Sequence, residues 1–85
     1  MQKFFIEVTD VYGGEANYGW VSRYVVNANT MCGAVNKFSR ESGYHWHCVM
    51  DCGDSKRYDS ASGATCFFIS WYDEQSDTYS NTTEI

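Results

Sequence analysis

One segment of this chain has the spacing of an amphipathic helix, which limits the fold to a single helix packed on strands. Four apolar residues recur there at positions i, i+3, i+4 and i+7: Met31, Ala34, Val35 and Phe38. This spacing puts one apolar stripe on a helix. Thr30 is a favourable N-cap before the stripe, and Gly43 can adopt the left-handed conformation that ends a helix. The pattern predicts a helix over residues 31–42.

The other apolar residues alternate with polar ones in short runs, as in half-buried strands. These runs predict strands at 3–12, 20–28, 44–50 and 64–72. The last run is apolar on both faces, which is typical of a central strand. Residues 13–19 hold three glycines and predict a hairpin loop longer than two residues. The polar segment 51–63 can contain a short strand around Lys56–Asp59.

This order of elements, β-β-α-β-β, predicts an α+β fold in which a four-stranded antiparallel sheet carries one helix on one face. We expect a single domain over residues 1–72, followed by an acidic, polar C-terminal tail over residues 73–85. No second helix is predicted for the opposite face, where exposed apolar side chains would mark an interface. The chain has no proline to protect a strand at the sheet edge, so a homodimer formed through an edge is a further expectation.

The net charge of −5 is concentrated in residues 51–85, which hold two basic and seven acidic residues. Direct binding to a nucleic-acid backbone needs clustered lysine and arginine, so this class of function is not expected. The charge instead favours a protein partner with a basic surface.

The beginning of the sequence lacks the apolar run of a secretory signal, and no apolar run is long enough to span a membrane. We therefore expect a cytoplasmic protein. In that compartment the four cysteines are expected to be free thiols: Cys32, Cys48, Cys52 and Cys66.

Two histidines and two cysteines lie close together in the segment YHWHCVMDC. The low-probability metal ligands among them are His45, His47 and Cys52. In an extended strand His45 and His47 share one face while Cys48 lies on the other, so a tetrahedral site would require a break in the strand. The favoured interpretation is a strand with solvent-facing histidines.

No arrangement of residues indicates catalysis or a cofactor, and neither is expected. Cys48 and His47 are neighbours in a strand and diverge, so they cannot form a nucleophile and its base. The glycines of residues 13–19 match no phosphate-binding motif. The rings of residues 67–72 resemble a base-stacking platform in type, but acidic residues flank them where such a platform needs cations.

The remaining signal is a set of aromatic and acidic residues that suits a basic protein surface, because charge speeds encounter and rings supply affinity. The predicted partner-binding residues are Asp51, Asp54, Asp59, Trp71, Tyr72, Asp73, Glu74 and Asp77. The alternative interpretation is a soluble tail beside a core tryptophan.

Three stretches carry a resemblance: KFFIEVTDVYGGEANYGWVSRYVVNA, GAVNKFSRESGYHW and RYDSASGATCFFISWYDE. Together they resemble small uncharacterised accessory proteins of bacteriophages and prophages, over most of the chain to about residue 74. The resemblance brings no catalytic or binding motif. It implies a phage protein in the host cytoplasm, of the kind that includes anti-CRISPR and other counter-defence inhibitors, which often occupy basic nucleic-acid sites on their targets.

Three functions remain open at this point. The first is a non-enzymatic inhibitor that binds a host nucleic-acid-handling or defence protein. The second is a small structural or self-associating, dimeric phage protein. The third is a metal-binding module that uses the His/Cys segment.

Overall fold

The computed structural model describes residues 2–12, 15–72 and 82–85. In chain order, the elements in these residues are β1 (Gln2–Tyr12), β2 (Glu15–Ala28), α1 (Met31–Ser42), β3 (Trp46–Asp51), β4 (Ser55–Ser60), β5 (Thr65–Trp71) and β6 (Thr82–Glu84). The strands form one sheet in the order β3-β4-β5-β1-β2-β6. Neighbouring strands are antiparallel except β2 and β6, which are parallel.

The predicted four-stranded antiparallel sheet is therefore wrong, because the sheet has six strands and is mixed. β4 was anticipated only as a short strand inside a turn-rich segment. Its charged side chains are paired: Arg57 Nε donates to Asp59 Oδ1 within the strand over 2.9 Å, and Lys56 Nζ lies 3.6 Å from Asp51 Oδ2 on β3. The positive φ of Gly53, 86°, lies in the turn between β3 and β4.

The strand β6, which was not predicted, has only three residues, too few to show a periodicity. Backbone bonds hold it beside β2: the Ile85 N–H donates to the Val25 carbonyl over 2.8 Å, and the Asn27 N–H donates to the Ile85 carbonyl over 3.0 Å. Ile85 also packs against the core. The strand thus depends on tertiary contacts and not on local propensity.

The hairpin of β1 and β2 is tighter than predicted. Pairing continues until Tyr12 lies opposite Glu15, so β2 begins within the predicted loop of residues 13–19, of which residues 13–14 lie outside the described residues. The register is irregular between Val8 and Val11. Backbone pairing has extended the strands into the glycine-rich segment in spite of its low strand propensity.

The helix agrees with the prediction at both ends. Thr30 Oγ1 accepts from the Gly33 N–H over 3.0 Å, and Gly43 has a φ of 75° while its N–H donates to the Ser39 carbonyl. A Cβ on Gly33 would lie 3.2 Å from Thr30 Oγ1 and 3.7 Å from the Ala28 Cβ. The close neighbour is the N-cap hydroxyl of Thr30, whereas the distance to Ala28 on β2 is an ordinary van der Waals contact, so the helix cap and not the sheet favours glycine here.

The core lies between α1 and one face of the sheet, called the helix face below. Its buried members come from four elements: Phe4, Ile6, Val8, Val26, Ala28, Ala34, Val35, Phe38, Phe67 and Ile69. Phe67 is its centre, with its ring stacked on Tyr58 at 5.1 Å and edge-on to Phe38 and Trp46 at 4.8 Å each.

The opposite face of the sheet carries no helix in the described residues, yet it is not bare. Thr9 and Cys66 on this face are fully buried. Long side chains in ion pairs lie along it: Arg23 with Glu7 at 3.1 Å, and Arg57 with Asp59 at 2.9 Å. Among the described residues, no helix has the length and apolar character needed to cross a membrane.

Candidate functional site

The helix face changes from apolar to polar along three neighbouring strands. Beneath α1 it is apolar, and beyond α1 it ends in Asp10 on β1, Ser22 on β2 and Thr65 on β5. These positions are adjacent, because Asp10 pairs with Thr65 and Val8 pairs with Ser22. The sheet therefore has a polar strip on the helix face that the helix does not cover.

A cavity of about 240 Å³ lies over this strip, between the sheet and the C-terminal end of α1. We call it the polar groove. Its floor consists of Val8, Asp10, Ser22 and Thr65, and its walls consist of Tyr24, Phe38, Ser42, Tyr44 and Trp46.

Two further cavities extend the polar groove across the sheet. On the β6 side, a cavity of about 240 Å³ shares Tyr24, Phe38 and Ser42 with it and adds Glu41. On the β4–β5 side, a cavity of about 190 Å³ shares Tyr44 and Thr65 with it. The surface is thus a channel open to an extended ligand.

The aromatic walls are held in place by ring contacts and hydrogen bonds. Trp46 lies 5.9 Å from Phe38 and 5.9 Å from Tyr44, measured between ring centroids. The Trp46 indole Nε1–H donates to Ser42 Oγ over 3.0 Å. This bond ties the strand β3 to the last turn of the helix, so the groove is formed before a ligand arrives.

The groove is electronegative. Asp10 and Glu41 are both exposed and have no ion-pair partner among the described residues. The described lining includes no lysine or arginine. Four cations of the described chain are paired elsewhere with carboxylates: Lys3, Arg23, Lys56 and Arg57.

Two of the predicted partner-binding acids and one ring lie at the other end of the sheet. Asp51 and Asp54 flank the β3–β4 turn, and Ser55 pairs with Ser70, which places this turn beside Trp71. Asp51 is engaged with Lys56 at 3.6 Å, whereas Asp54 is exposed.

The other predicted partner-binding residues do not join that cluster. Asp59 lies on the face opposite α1, bound to Arg57. Tyr72 also points to that face, with its ring 6.3 Å from that of Phe5, whereas Trp71 lies on the helix face against Phe4. Three more fall outside the described residues: Asp73, Glu74 and Asp77.

The low-probability metal ligands His45, His47 and Cys52 are all exposed. His47 pairs with Asp59 across the β3–β4 ladder, whereas Cys48 pairs with Tyr58, so these neighbours point to opposite faces. Within the described part of the chain, no three histidine, cysteine or acidic side chains are grouped as metal ligands.

The four cysteines are free thiols, with Cys66 buried and Cys32, Cys48 and Cys52 exposed. Burial raises the pKa of the Cys66 thiol, and the positive charge of Arg57 offsets this only in part. A thiol with a raised pKa stays protonated near neutral pH and is a poor nucleophile.

The polar groove was not predicted from the sequence, although the sequence contains one signal for it. Asp10 falls in phase with Phe4, Ile6 and Val8, so a carboxylate occupies the position where the alternation predicts a core residue. The contributions of Glu41, Tyr44 and Trp46 could not be read in the same way, because they depend on how the helix crosses the sheet.

Comparisons of the chain with protein-family models, with curated proteins and with solved structures give no match. The geometry described above is therefore the basis for inferring function.

Proposed function

We propose that this chain is a non-enzymatic binding protein that takes a basic segment of a partner protein into the polar groove. The observation that carries the proposal is the pair of carboxylates, Asp10 and Glu41, in an aromatic channel whose described lining holds no cation.

The size of the groove suits a side chain more than a whole small molecule. Pockets for drug-sized ligands enclose about 300–1,000 Å³, whereas the central cavity encloses about 240 Å³. A lysine or arginine side chain fits such a space and would lay its alkyl part along the aromatic walls. Its charge would then meet Asp10, and the faces of Trp46 and Tyr24 would add cation–π attraction.

The continuous channel also fits a peptide longer than one residue. Glu41 lies in the cavity toward β6, and Asp10 lies in the central one. A chain with basic residues a few positions apart could therefore engage both carboxylates. The acidic residues of 73–77 would steer such a partner by long-range attraction, as expected from the sequence.

The biological part of the proposal rests on the phage resemblance and on the charge. A phage accessory protein with this groove would bind a host nucleic-acid-handling or defence protein, such as a CRISPR component, at a basic surface. Occupying that surface would block the target's access to nucleic acid, which is inhibition without chemistry.

The test is a titration with peptides of about eight residues that are rich in arginine, in lysine or in glutamate. Binding is followed by the NMR signal of the Trp46 indole N–H, which lies in the groove wall. We expect the basic peptides to shift this signal and the acidic peptide to leave it unchanged. Raising the salt concentration should weaken binding, because the carboxylates are exposed.

A matched pair of variants locates the site. Asp10→Asn combined with Glu41→Gln should weaken binding by about 3- to 30-fold, since each exposed charge pair contributes about 0.3–1 kcal/mol. Asp54→Asn is the control, because it removes an equally exposed carboxylate at the other end of the sheet. If the control weakens binding as much as the groove variant, or if no basic peptide binds, the proposal is wrong.

A further inference from the structure

We infer that two copies of this chain pair through β3, antiparallel and around a twofold axis at His47. This goes beyond the proposed ligand of the polar groove and does not depend on it. β3 is one of the two edge strands of the sheet. It is six residues long and holds neither lysine nor proline, the residues that usually protect such an edge.

Exposed apolar groups are concentrated at this edge. Among the described residues four large hydrophobic side chains are exposed, and three of them are Tyr44 (62%), Val49 (49%) and Met50 (53%). Adjacent exposed apolar groups on a strand edge are typical of an interface.

Among the described residues, no strand pairs with the outer edge of β3, and its backbone presents hydrogen-bonding groups there at defined positions. The Ala61 N–H donates to the His45 carbonyl, so His45 faces β4. Hydrogen-bonded and non-bonded positions alternate in an antiparallel ladder, and the register is regular from Trp46 to Cys48. His47 therefore also faces β4, and the N–H and C=O groups of Trp46 and Cys48 point away from the sheet.

These outward groups match a second copy of the same strand. With the axis at His47, Trp46 bonds reciprocally to the partner's Cys48, and Cys48 bonds to the partner's Trp46. The β-bulge between Cys48 and Met50 displaces the ladder beyond this point, which fixes the pairing to the first half of the strand.

A second copy fits this edge better than a basic peptide does. Residues 44–50 carry no carboxylate that could attract lysine or arginine. They also hold no lysine or arginine, so no such pair of cations meets across the axis. Self-pairing of β3 also gives a closed twofold dimer, because the same strand edge is then the contact surface on both copies. Because Tyr44 and Trp46 belong to both surfaces, dimerisation would place two polar grooves side by side.

The first experiment measures the mass in solution by light scattering over a range of protein concentrations. We expect a dimer for the native chain and for Cys48→Ser, which keeps the outward N–H. Cys48→Pro removes that N–H at an edge position where proline is tolerated, and it should weaken the dimer by about tenfold or more. A native chain that stays monomeric at every concentration would overturn the inference.

The second experiment tests the register and does not depend on the proline variant folding. Cys32, Cys48 and Cys52 are replaced by serine, and one thiol is introduced by His47→Cys or by His45→Cys. In the His47→Cys variant the α-carbons of the two introduced cysteines lie about 4.5 Å apart across the axis, within the range of a disulfide. In the His45→Cys variant the corresponding α-carbons lie about 13 Å apart along the strand, beyond that range.

We therefore expect His47→Cys to form a covalent dimer on mild oxidation and His45→Cys to remain monomeric. Equal cross-linking of the two variants, or cross-linking of His45→Cys alone, would show that the register is wrong.

Discussion

Phe67 should be the most sensitive aromatic position of the core, because its ring makes three aromatic contacts. It is fully buried and touches the rings of Tyr58, Phe38 and Trp46. Phe67→Leu keeps a large apolar side chain but removes these contacts, each of which contributes about 0.5–1.5 kcal/mol beyond burial. Since the three share one ring and are not strictly additive, we expect a loss of about 2–3 kcal/mol.

That loss is large for a domain of this size, whose total stability is of the order of 4–13 kcal/mol. The melting temperature should fall by about 8–24 °C. Phe4→Leu is the matched control: Phe4 is equally buried, but its ring contacts only Trp71 among the described rings, at 4.7 Å. This control should lose about 1–2 kcal/mol less than Phe67→Leu.

The assay is urea unfolding followed by tryptophan fluorescence, with the free energy extrapolated to water and the slope compared between variants. A similar slope would show that the two variants expose the same surface on unfolding. If Phe4→Leu and Phe67→Leu agree to within about 0.5 kcal/mol, the ring contacts contribute nothing beyond burial, and the argument for Phe67 fails.

Three further predictions concern the helix cap and the buried thiol. Thr30→Ala should lower the free energy of unfolding by about 0.5–2 kcal/mol because the Gly33 N–H loses its acceptor. Thr30→Ser keeps a hydroxyl and should retain most of this stability. Equal stability of the two variants in urea would contradict the prediction. A thiol reagent should modify Cys32, Cys48 and Cys52 in the folded protein but reach Cys66 only after unfolding, and rapid modification of all four thiols would refute the burial of Cys66. Burial raises the pKa of Cys66 above its ordinary value of 9.0, so above about pH 9 the folded state retains a proton that the unfolded state releases. The free energy of unfolding should therefore decline as the pH rises above about 9. A Cys66→Ala variant lacks this proton and should show a smaller decline in urea titrations at different pH values.

The helix and the inner strands could be predicted because their signals are local. Thr30, the apolar stripe and Gly43 each act within one or two turns, and the structure places them as expected. The alternation of apolar and polar residues over 3–12 likewise predicted β1, and the structure buries its residues Phe4, Ile6 and Val8. These patterns survive in the fold because burial of one face requires them.

The strands β4 and β6 show the opposite situation: β4 was predicted only as a short strand within a turn-rich segment, and β6 was not predicted. β4 carries Lys56, Arg57 and Asp59, and it is a strand because β3 and β5 supply backbone partners on both sides. β6 is a strand because Val25 and Asn27 accept and donate backbone hydrogen bonds to Ile85. The polar composition of β4 gives only a weak strand signal, and the partner of β6 is distant in sequence. Local patterns therefore do not define either strand.

Some properties of the candidate site could likewise be predicted from the sequence, and others could not. The sequence by itself determined that the chain is acidic, aromatic-rich and built on one helix, since these properties depend only on composition and short-range spacing. Only the tertiary structure decided that Trp71 and Tyr72 point to opposite faces, and that Asp10 and Glu41 lie along one channel. The physical reason is that a surface is assembled from residues of several elements, and their proximity is set by strand register and by where the helix crosses the sheet.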